Sequence, residues 1–160
     1  MRNKDKGQTL KIIFVFIPHM NNIKKLLKLI KEKYEFNASH AEIVCNGEKR
    51  KKWNTSEMYV KHLKKELEEM QEEMKQNNTP YLEDELWDIL WDFLNLAYTL
   101  KLEGLIESEE HIFTRCEKKF SERISAIKKW IPWEDIKKKQ KEELKNEYNK
   151  KYALQEKSKK

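Results

Sequence analysis

Apolar residues recur along most of the chain at intervals of three and four positions, which is the spacing of one face of an α-helix. Four segments show this pattern, and they cover residues 21–34, 54–75, 82–104 and 108–127. Asn54 with Glu57 resembles a capping box at the start of the second segment, and Gly104 is a natural stop for the third. The pattern predicts an all-α fold, a four-helix bundle whose neighbouring helices are antiparallel where the connection is short.

The two ends of the chain do not continue this pattern. The apolar run from Leu10 to Ile17 is too short to cross a membrane, ends at Pro18 and lacks a small-residue cleavage site. We therefore expect residues 1–19 to be an N-terminal extension or a short strand, followed by a helical domain over residues 20–130. The Lys/Glu-rich residues 131–160 predict a charged helical tail, and the polar residues between the first two helices, 36–53, predict a loop.

Composition supports an assembly of exposed helices rather than one thick core. Apolar residues make up 38% and charged residues 39% of the 160 positions, so we expect self-association to complete the bundle. Cys45 and Cys116 have no metal-binding spacing, which favours reduced thiols and a cytoplasmic location. The net charge of +6 is concentrated towards the chain ends, whereas the middle of the chain is acidic.

Two consecutive helices carry an acidic edge beside their apolar stripe. On the second helix this edge contains His62, Glu66, Glu69 and Glu73, and on the third it contains Glu85, Asp88 and Asp92, continued by Asn95 and Thr99. If these helices pack antiparallel, the two edges converge. Carboxylates held close together repel one another unless a cation neutralises them, and oxygen ligands suit magnesium or manganese. The alternative is that these acids are ordinary solvated residues of a structural bundle.

These residues resemble the signature of the MazG family of nucleotide pyrophosphohydrolases, an ExxE on one helix followed by an ExxD on the next. Here the two motifs span Glu66–Glu69 and Glu85–Asp88. The segment at Trp53 resembles the Trp-containing segment that precedes the first acidic helix in the family, although Lys51-Lys52 replaces the expected Cys-Pro. The stretch from Lys119 to Arg123 is similar to the family's Lys-Phe-x-x-Arg, so the resemblance covers residues 53–124.

The resemblance implies a Mg²⁺-dependent hydrolase, with Mn²⁺ as a substitute, that cleaves a (d)NTP to a (d)NMP and pyrophosphate and clears noncanonical nucleotides. It implies that the metal ligands are Glu66, Glu69, Glu85 and Asp88. Lys119 and Arg123 would bind phosphates, unless they are an ordinary pair of solvated basic residues. Glu69 is our candidate for the catalytic base. A homodimer or homotetramer is expected, with no membrane partner.

Four further residues are candidates for the site, and three of them have two interpretations. Asp92 would be an additional metal ligand or a partner of one, and His62 would contact substrate or hydrogen-bond Glu66. Trp53 would stack on a base or anchor the start of a helix, and Asn95 continues the acidic edge as an additional candidate site residue. The aromatic residues Trp87, Trp91 and Tyr98 lie on the other side of the third helix, where we expect a subunit interface.

Other functions predict different behaviour. A basic helical module that binds nucleic acid or a protein partner, without catalysis, would explain the Lys-rich ends but not the paired acidic edges, which repel nucleic acid. Nucleic acid is therefore not an expected partner. Within the enzyme class, a relative acting on dUTP, phosphoribosyl-ATP or another specialised nucleotide remains an alternative.

Overall fold

The computed structural model describes the backbone of residues 6–39, 44–45, 48–49 and 55–157, and the side chains of residues 22–39 and 55–152. The helices are α1 (Lys6–Ser39), α2 (Ser56–Glu73), α3 (Thr79–Leu102), α4 (Glu109–Lys128) and α5 (Trp133–Lys157). Two short antiparallel strands, β1 (Val44–Cys45) and β2 (Glu48–Lys49), follow α1 and pair Val44 with Lys49. The all-α prediction is confirmed, and each predicted helical segment lies in a helix.

The N-terminal third differs from the sequence predictions in two places. Residues 10–17 lie inside α1 and form no strand, because their apolar run joins the next helical pattern with only Pro18 to interrupt it. The connection predicted as a loop over residues 36–53 is partly ordered, since α1 continues to Ser39 and is followed by the two strands. The sequence between the strands is Asn46-Gly47, a pair strongly favoured in two-residue hairpin loops.

The chain divides into two compact units, Met1–Glu109 and Glu110–Lys160. In the first unit, α1 and α2 each pack against α3. Among its residues whose side chains the structure describes, the buried apolar ones are Ile30, Tyr34, Tyr59, Leu94 and Ala97. In the second unit, α4 and α5 are joined by side-chain contacts that include a bidentate pair between Arg115 and Glu147.

Hydrogen bonds at both ends fix α2 and α3 as an antiparallel pair. Glu103, directly after α3, accepts from the backbone amide and the hydroxyl of Ser56 at 3.0 and 2.6 Å. These bonds lower the pKa of Glu103, and they place its charge at the N-terminus of α2, where the helix dipole favours an anion. At the other end, the Asn78 amide donates to the carbonyl of Glu73 at 3.0 Å, across the short connection between the helices.

The residue that caps α2 is Thr55, one position after the predicted cap. Its hydroxyl accepts from the backbone amide of Met58, three residues later, at 3.3 Å. This register puts Met58 where a capping box needs Glu or Gln, so Glu57 does not complete the predicted box. The predicted stop at Gly104 is confirmed, since Gly104 has φ +72° and its amide donates to the carbonyl of Lys101.

The face of α3 predicted to form a subunit interface is partly covered within the chain. Trp91 and Tyr98 contact residues of α1, and the Tyr98 ring lies 4.8 Å from that of Tyr34. Trp87 alone of the three predicted aromatic residues stays largely exposed, at 64%. Large apolar side chains are exposed instead on another face of α3, at Leu86, Leu90 and Phe93. None of the helices that the structure describes has the length and apolar content to span a membrane.

Gly104 provides a direct test of the α3 terminus. Replacing it with Ala should lower the free energy of unfolding by about 1 kcal/mol, because an L-residue other than Asn disfavours positive φ. The space around a Cβ there is open, so no steric clash adds to this cost. Gly104→Asn is the matched control and should lose less in urea denaturation. Equal stability of the Ala variant and the wild type would contradict this account of the helix stop.

Candidate metal centre

A continuous row of polar side chains lines the contact between α2 and α3, and we call it the seam. Its members on α2 are Tyr59, His62, Glu66, Glu69 and Glu73, and on α3 they are Glu85, Asp88, Asp92, Asn95 and Thr99. Each set repeats every three or four residues and therefore stays on one side of its helix. Because the helices are antiparallel, the seam is most acidic towards the α2–α3 connection and neutral or basic at the other end.

Three carboxylates of the seam meet at one point. Glu66 of α2 and Glu85 and Asp88 of α3 each place an oxygen within 4.8 Å of the others, a separation at which one cation can contact all three. Glu66 and Glu85 are partly buried, whereas Asp88 is exposed. The predicted convergence of the two acidic edges is confirmed for these residues.

The remaining member of the ExxE motif lies beside this group and has a partner of its own. Glu69 accepts a hydrogen bond from Lys65 at 2.5 Å, and this bond lowers the pKa of Glu69. Glu66 behaves in the opposite way, because burial and the neighbouring charge of Glu69 raise the pKa of Glu66. A hydrogen bond between the two carboxyls favours the proton on Glu66.

Crowding also affects the α3 side of the cluster. Burial raises the pKa of Glu85, and the charges of Glu69 and Asp88 raise it further. Burial and neighbouring negative charge thus both disfavour the ionised forms of Glu66 and Glu85. Lys65 is the lysine that contacts this cluster among the residues whose side chains are described, and it bonds Glu69 while staying 3.9 Å from Glu66. Three carboxylates that repel one another are suitable ligands for a divalent cation, which would neutralise their charge.

One helical turn away from the cluster, His62 and Asp92 face each other across the seam. The Nδ1 atom of His62 lies 3.7 Å from an oxygen of Asp92, whereas the predicted hydrogen bond of His62 to Glu66 is not formed. Asp92 is only 8% exposed, and burial raises its pKa against the opposing effects of His62 and Lys33. Asp92 lies outside the group of three carboxylates, and the structure places it between that group and a partly buried lysine.

That lysine, Lys33 of α1, was missed by the sequence analysis. Its ammonium donates to the hydroxyl of Tyr59 at 2.8 Å and to the side-chain oxygen of Asn95. It also lies 5.1–5.4 Å from the ring centres of Tyr34, Tyr59 and Trp91, within range of cation–π attraction. Burial lowers the pKa of Lys33, and the charge of Asp92 opposes this effect.

Asn95 belongs to this network and has no exposed surface. Its amide nitrogen donates to the carbonyl of Trp91 at 2.7 Å while its oxygen accepts from Lys33. A signal for Lys33 was present in the sequence, because it lies three residues after Ile30 and beside Tyr34 on the buried face of α1. A lysine on such a face needs polar partners. The sequence does not identify those partners.

The predicted phosphate-binding residues lie on α4, in the second unit. Lys119 is exposed, and its ammonium lies 5.5 Å from the ring centre of Phe120. Arg123 is half-buried, with its guanidinium carbon 4.7 Å from the ring centre of Trp133 and its Nε bonded to Gln140. The alternative of two freely solvated basic residues therefore does not describe Arg123. Trp53 lies outside the described residues.

Comparison with known proteins addresses the same part of the chain. No curated protein sequence and no solved structure matched it. One family model matched, the MazG nucleotide pyrophosphohydrolase domain, over residues 54–127. The match includes α2, α3 and nearly all of α4, and thus both acidic motifs as well as Lys119 and Arg123. The match is thus to the same family whose signature the two acidic motifs resemble.

Proposed function

We propose that this protein is a magnesium-dependent pyrophosphohydrolase that converts a (d)NTP and water to a (d)NMP and pyrophosphate. The observation that carries the proposal is the meeting of Glu66, Glu85 and Asp88 within a matched MazG domain. A carboxylate cluster beside a nucleotide is the usual means by which proteins hold Mg²⁺, which also binds the substrate phosphates. Clearance of noncanonical nucleotides is the physiological role we propose.

The carboxylates have distinct proposed roles. Glu66, Glu85 and Asp88 would hold the cation, and Glu69 would complete its ligands or act as the base. When bound, the cation neutralises phosphate charge and lowers the pKa of a coordinated water. The hydrogen bond from Lys65 favours the ionised form of Glu69, and in that form Glu69 would accept the proton of the water that attacks the α-phosphorus. Attack forms the new P–O bond as the bond to the leaving pyrophosphate breaks.

Lys119 and Arg123 would bind the phosphates and offset the charge of the leaving group. Arginine suits this role because its planar guanidinium donates two parallel hydrogen bonds to one phosphate. The Lys33 network is not assigned a step of the reaction. It supplies positive charge next to Asp92, and it fixes the end of the seam beyond the cluster.

The first prediction from the proposed function concerns the reaction itself. Glu66→Gln and Asp88→Asn should each reduce pyrophosphate release on the order of 100-fold or more, because each removes a charge that holds the catalytic cation. Release would be measured with a panel of canonical and modified NTPs and dNTPs in the presence of Mg²⁺. Glu68→Gln is the matched control, since Glu68 is exposed on the opposite side of α2, and it should retain wild-type activity. Folded wild-type protein that releases pyrophosphate from no nucleotide would favour the binding-module alternative.

The second prediction separates metal binding from catalysis. Without nucleotide, Mg²⁺ should raise the melting temperature, since a ligand present at about 100 times its Kd stabilises the fold by about 2.7 kcal/mol. The same titration of Glu85→Gln should give a much smaller rise, whereas Glu68→Gln should match the wild type. Mn²⁺ should substitute for Mg²⁺. An identical rise in the Glu85 variant would show that the cation binds elsewhere.

The third prediction concerns assembly, which we propose to be a homodimer or homotetramer. The exposed apolar side chains of α3, Leu86, Leu90 and Phe93, would form part of the interface. Leu90→Glu should therefore lower the mass measured by light scattering to that of a monomer. Leu144→Glu, which changes an exposed leucine of α5, should leave the assembly intact. A wild-type protein that is already a stable monomer at low micromolar concentration would contradict the proposed interface.

A further inference from the structure

Helix α5 lies outside the matched residues, yet it contacts the arginine to which the proposed function assigns phosphate binding. The Nε of Arg123 donates to the side-chain oxygen of Gln140 at 2.8 Å. The guanidinium carbon lies 4.7 Å from the ring centre of Trp133 and 5.4 Å from that of Phe120. Arg123 is thus held by a hydrogen bond at Nε and by stacking on aromatic rings.

The amide of Gln140 is itself oriented by α4. Its nitrogen donates to the backbone carbonyl of Lys119 at 3.0 Å and to the carboxylate of Glu122 at 2.8 Å. Both partners only accept hydrogen bonds, so turning the amide around would place its oxygen against two other oxygens. Gln140 therefore presents its oxygen to Arg123, and one residue of α5 bridges three positions of α4.

This arrangement leaves the Nη1 and Nη2 atoms of Arg123 able to donate hydrogen bonds to a phosphate. A guanidinium has five N–H groups, and the bond to Gln140 uses the one on Nε. Within the part of the chain whose side chains are described, Nη1 and Nη2 make no hydrogen bond or ion pair. These two nitrogens carry the remaining four N–H groups, and they can donate in parallel to two phosphate oxygens.

We propose that Gln140 and Trp133 of α5 are positioning residues that hold Arg123 ready for the pyrophosphate end of the nucleotide. The proposal rests on the proposed function, and it extends the working site beyond the matched domain into α5. A flexible arginine side chain loses conformational entropy when it binds phosphate. Holding Arg123 beforehand by Gln140 and Trp133 reduces that loss and strengthens binding.

The test measures binding of inorganic pyrophosphate with Mg²⁺ by calorimetry, together with kcat and KM, on the full chain. Gln140→Met keeps the length of the side chain but removes its amide, and it should weaken pyrophosphate binding about three- to tenfold. Glu147→Gln is the matched control, because it disrupts the other described side-chain link between α4 and α5, the pair with Arg115. Binding to this control should stay within about twofold of wild type, in line with the small contribution of an exposed ion pair.

A rescue variant distinguishes positioning from folding. Gln140→Glu alone places a carboxylate against Glu122 and should weaken binding, whereas adding Glu122→Gln exchanges the amide and the carboxylate. The double variant again offers an acceptor to Arg123 and a donor to residue 140, but it leaves the Lys119 carbonyl without its donor, so binding should recover in part.

Three other binding results would contradict the inference, and each has a different meaning. If Arg123→Ala weakens binding but Gln140→Met does not, Arg123 binds phosphate without help from α5. If Gln140→Met and Glu147→Gln weaken binding equally, α5 acts only by docking on α4. If wild type binds no pyrophosphate, or if Arg123→Ala leaves binding unchanged, the phosphate-binding assignment of Arg123 fails and the inference fails with it. Failure of the proposed function is distinct, since it requires that no nucleotide is hydrolysed.

Discussion

The crowding of carboxylates between α2 and α3 is the constraint on which the rest of this structure depends. Glu66, Glu85 and Asp88 repel one another when ionised, so their own interactions oppose the packing of the two helices. Other contacts must therefore hold the pair together. Burial of Leu94 and Ala97 against the neighbouring helices provides the apolar part of that stabilisation. Hydrogen bonds at both ends of the pair fix its register.

A fold that holds acids together against their mutual repulsion is suited to bind a cation, because the cation removes the repulsion without rearranging the helices.

Two lysines lie at different places along the seam, and the charge of the seam differs between them. Lys65, on the outer side of α2, bonds Glu69 and lies 3.9 Å from Glu66, one member of the three-carboxylate cluster. Lys33 enters from α1, and its ammonium is surrounded by aromatic rings and by the oxygens of Tyr59 and Asn95. Removing part of an ammonium from water has a cost that such partners offset, so the network fixes α1 against α2 and α3 at one place. The Lys33 network thereby fixes the helices at one end of the seam, and the carboxylate cluster at the other end stays open to a cation.

The sequence predicted the parts of this molecule that depend on helical periodicity. The four helical segments and the meeting of Glu66 with Glu85 and Asp88 follow from spacing within a helix and from one short connection. Residues that depend on contacts between distant elements were not predictable in this way. Lys33 reaches Asn95 across 62 positions of sequence, and Gln140 reaches Arg123 across 17. Cap positions differed by one residue because Thr55 and its neighbour Asn54 are both good caps, and spacing alone does not choose between them.

The ExxE motif gives its two glutamates opposite environments, and this difference supports the roles proposed for them. Glu66 is partly buried among other acids, and burial and the charge of Glu69 raise its pKa. Glu69 receives a hydrogen bond from Lys65 on the same helix, which favours its ionised form. Neighbouring carboxyls whose pKa values are pushed apart are a common basis for dividing work between two acids. A carboxyl crowded by other acids gains most from a cation and is suited to ligation, whereas a carboxyl paired with a lysine is in the unprotonated form that a base needs only while its pKa stays low. The spacing of the motif puts both residues on one edge of α2, and the position of Lys65, four residues before Glu69, makes them different.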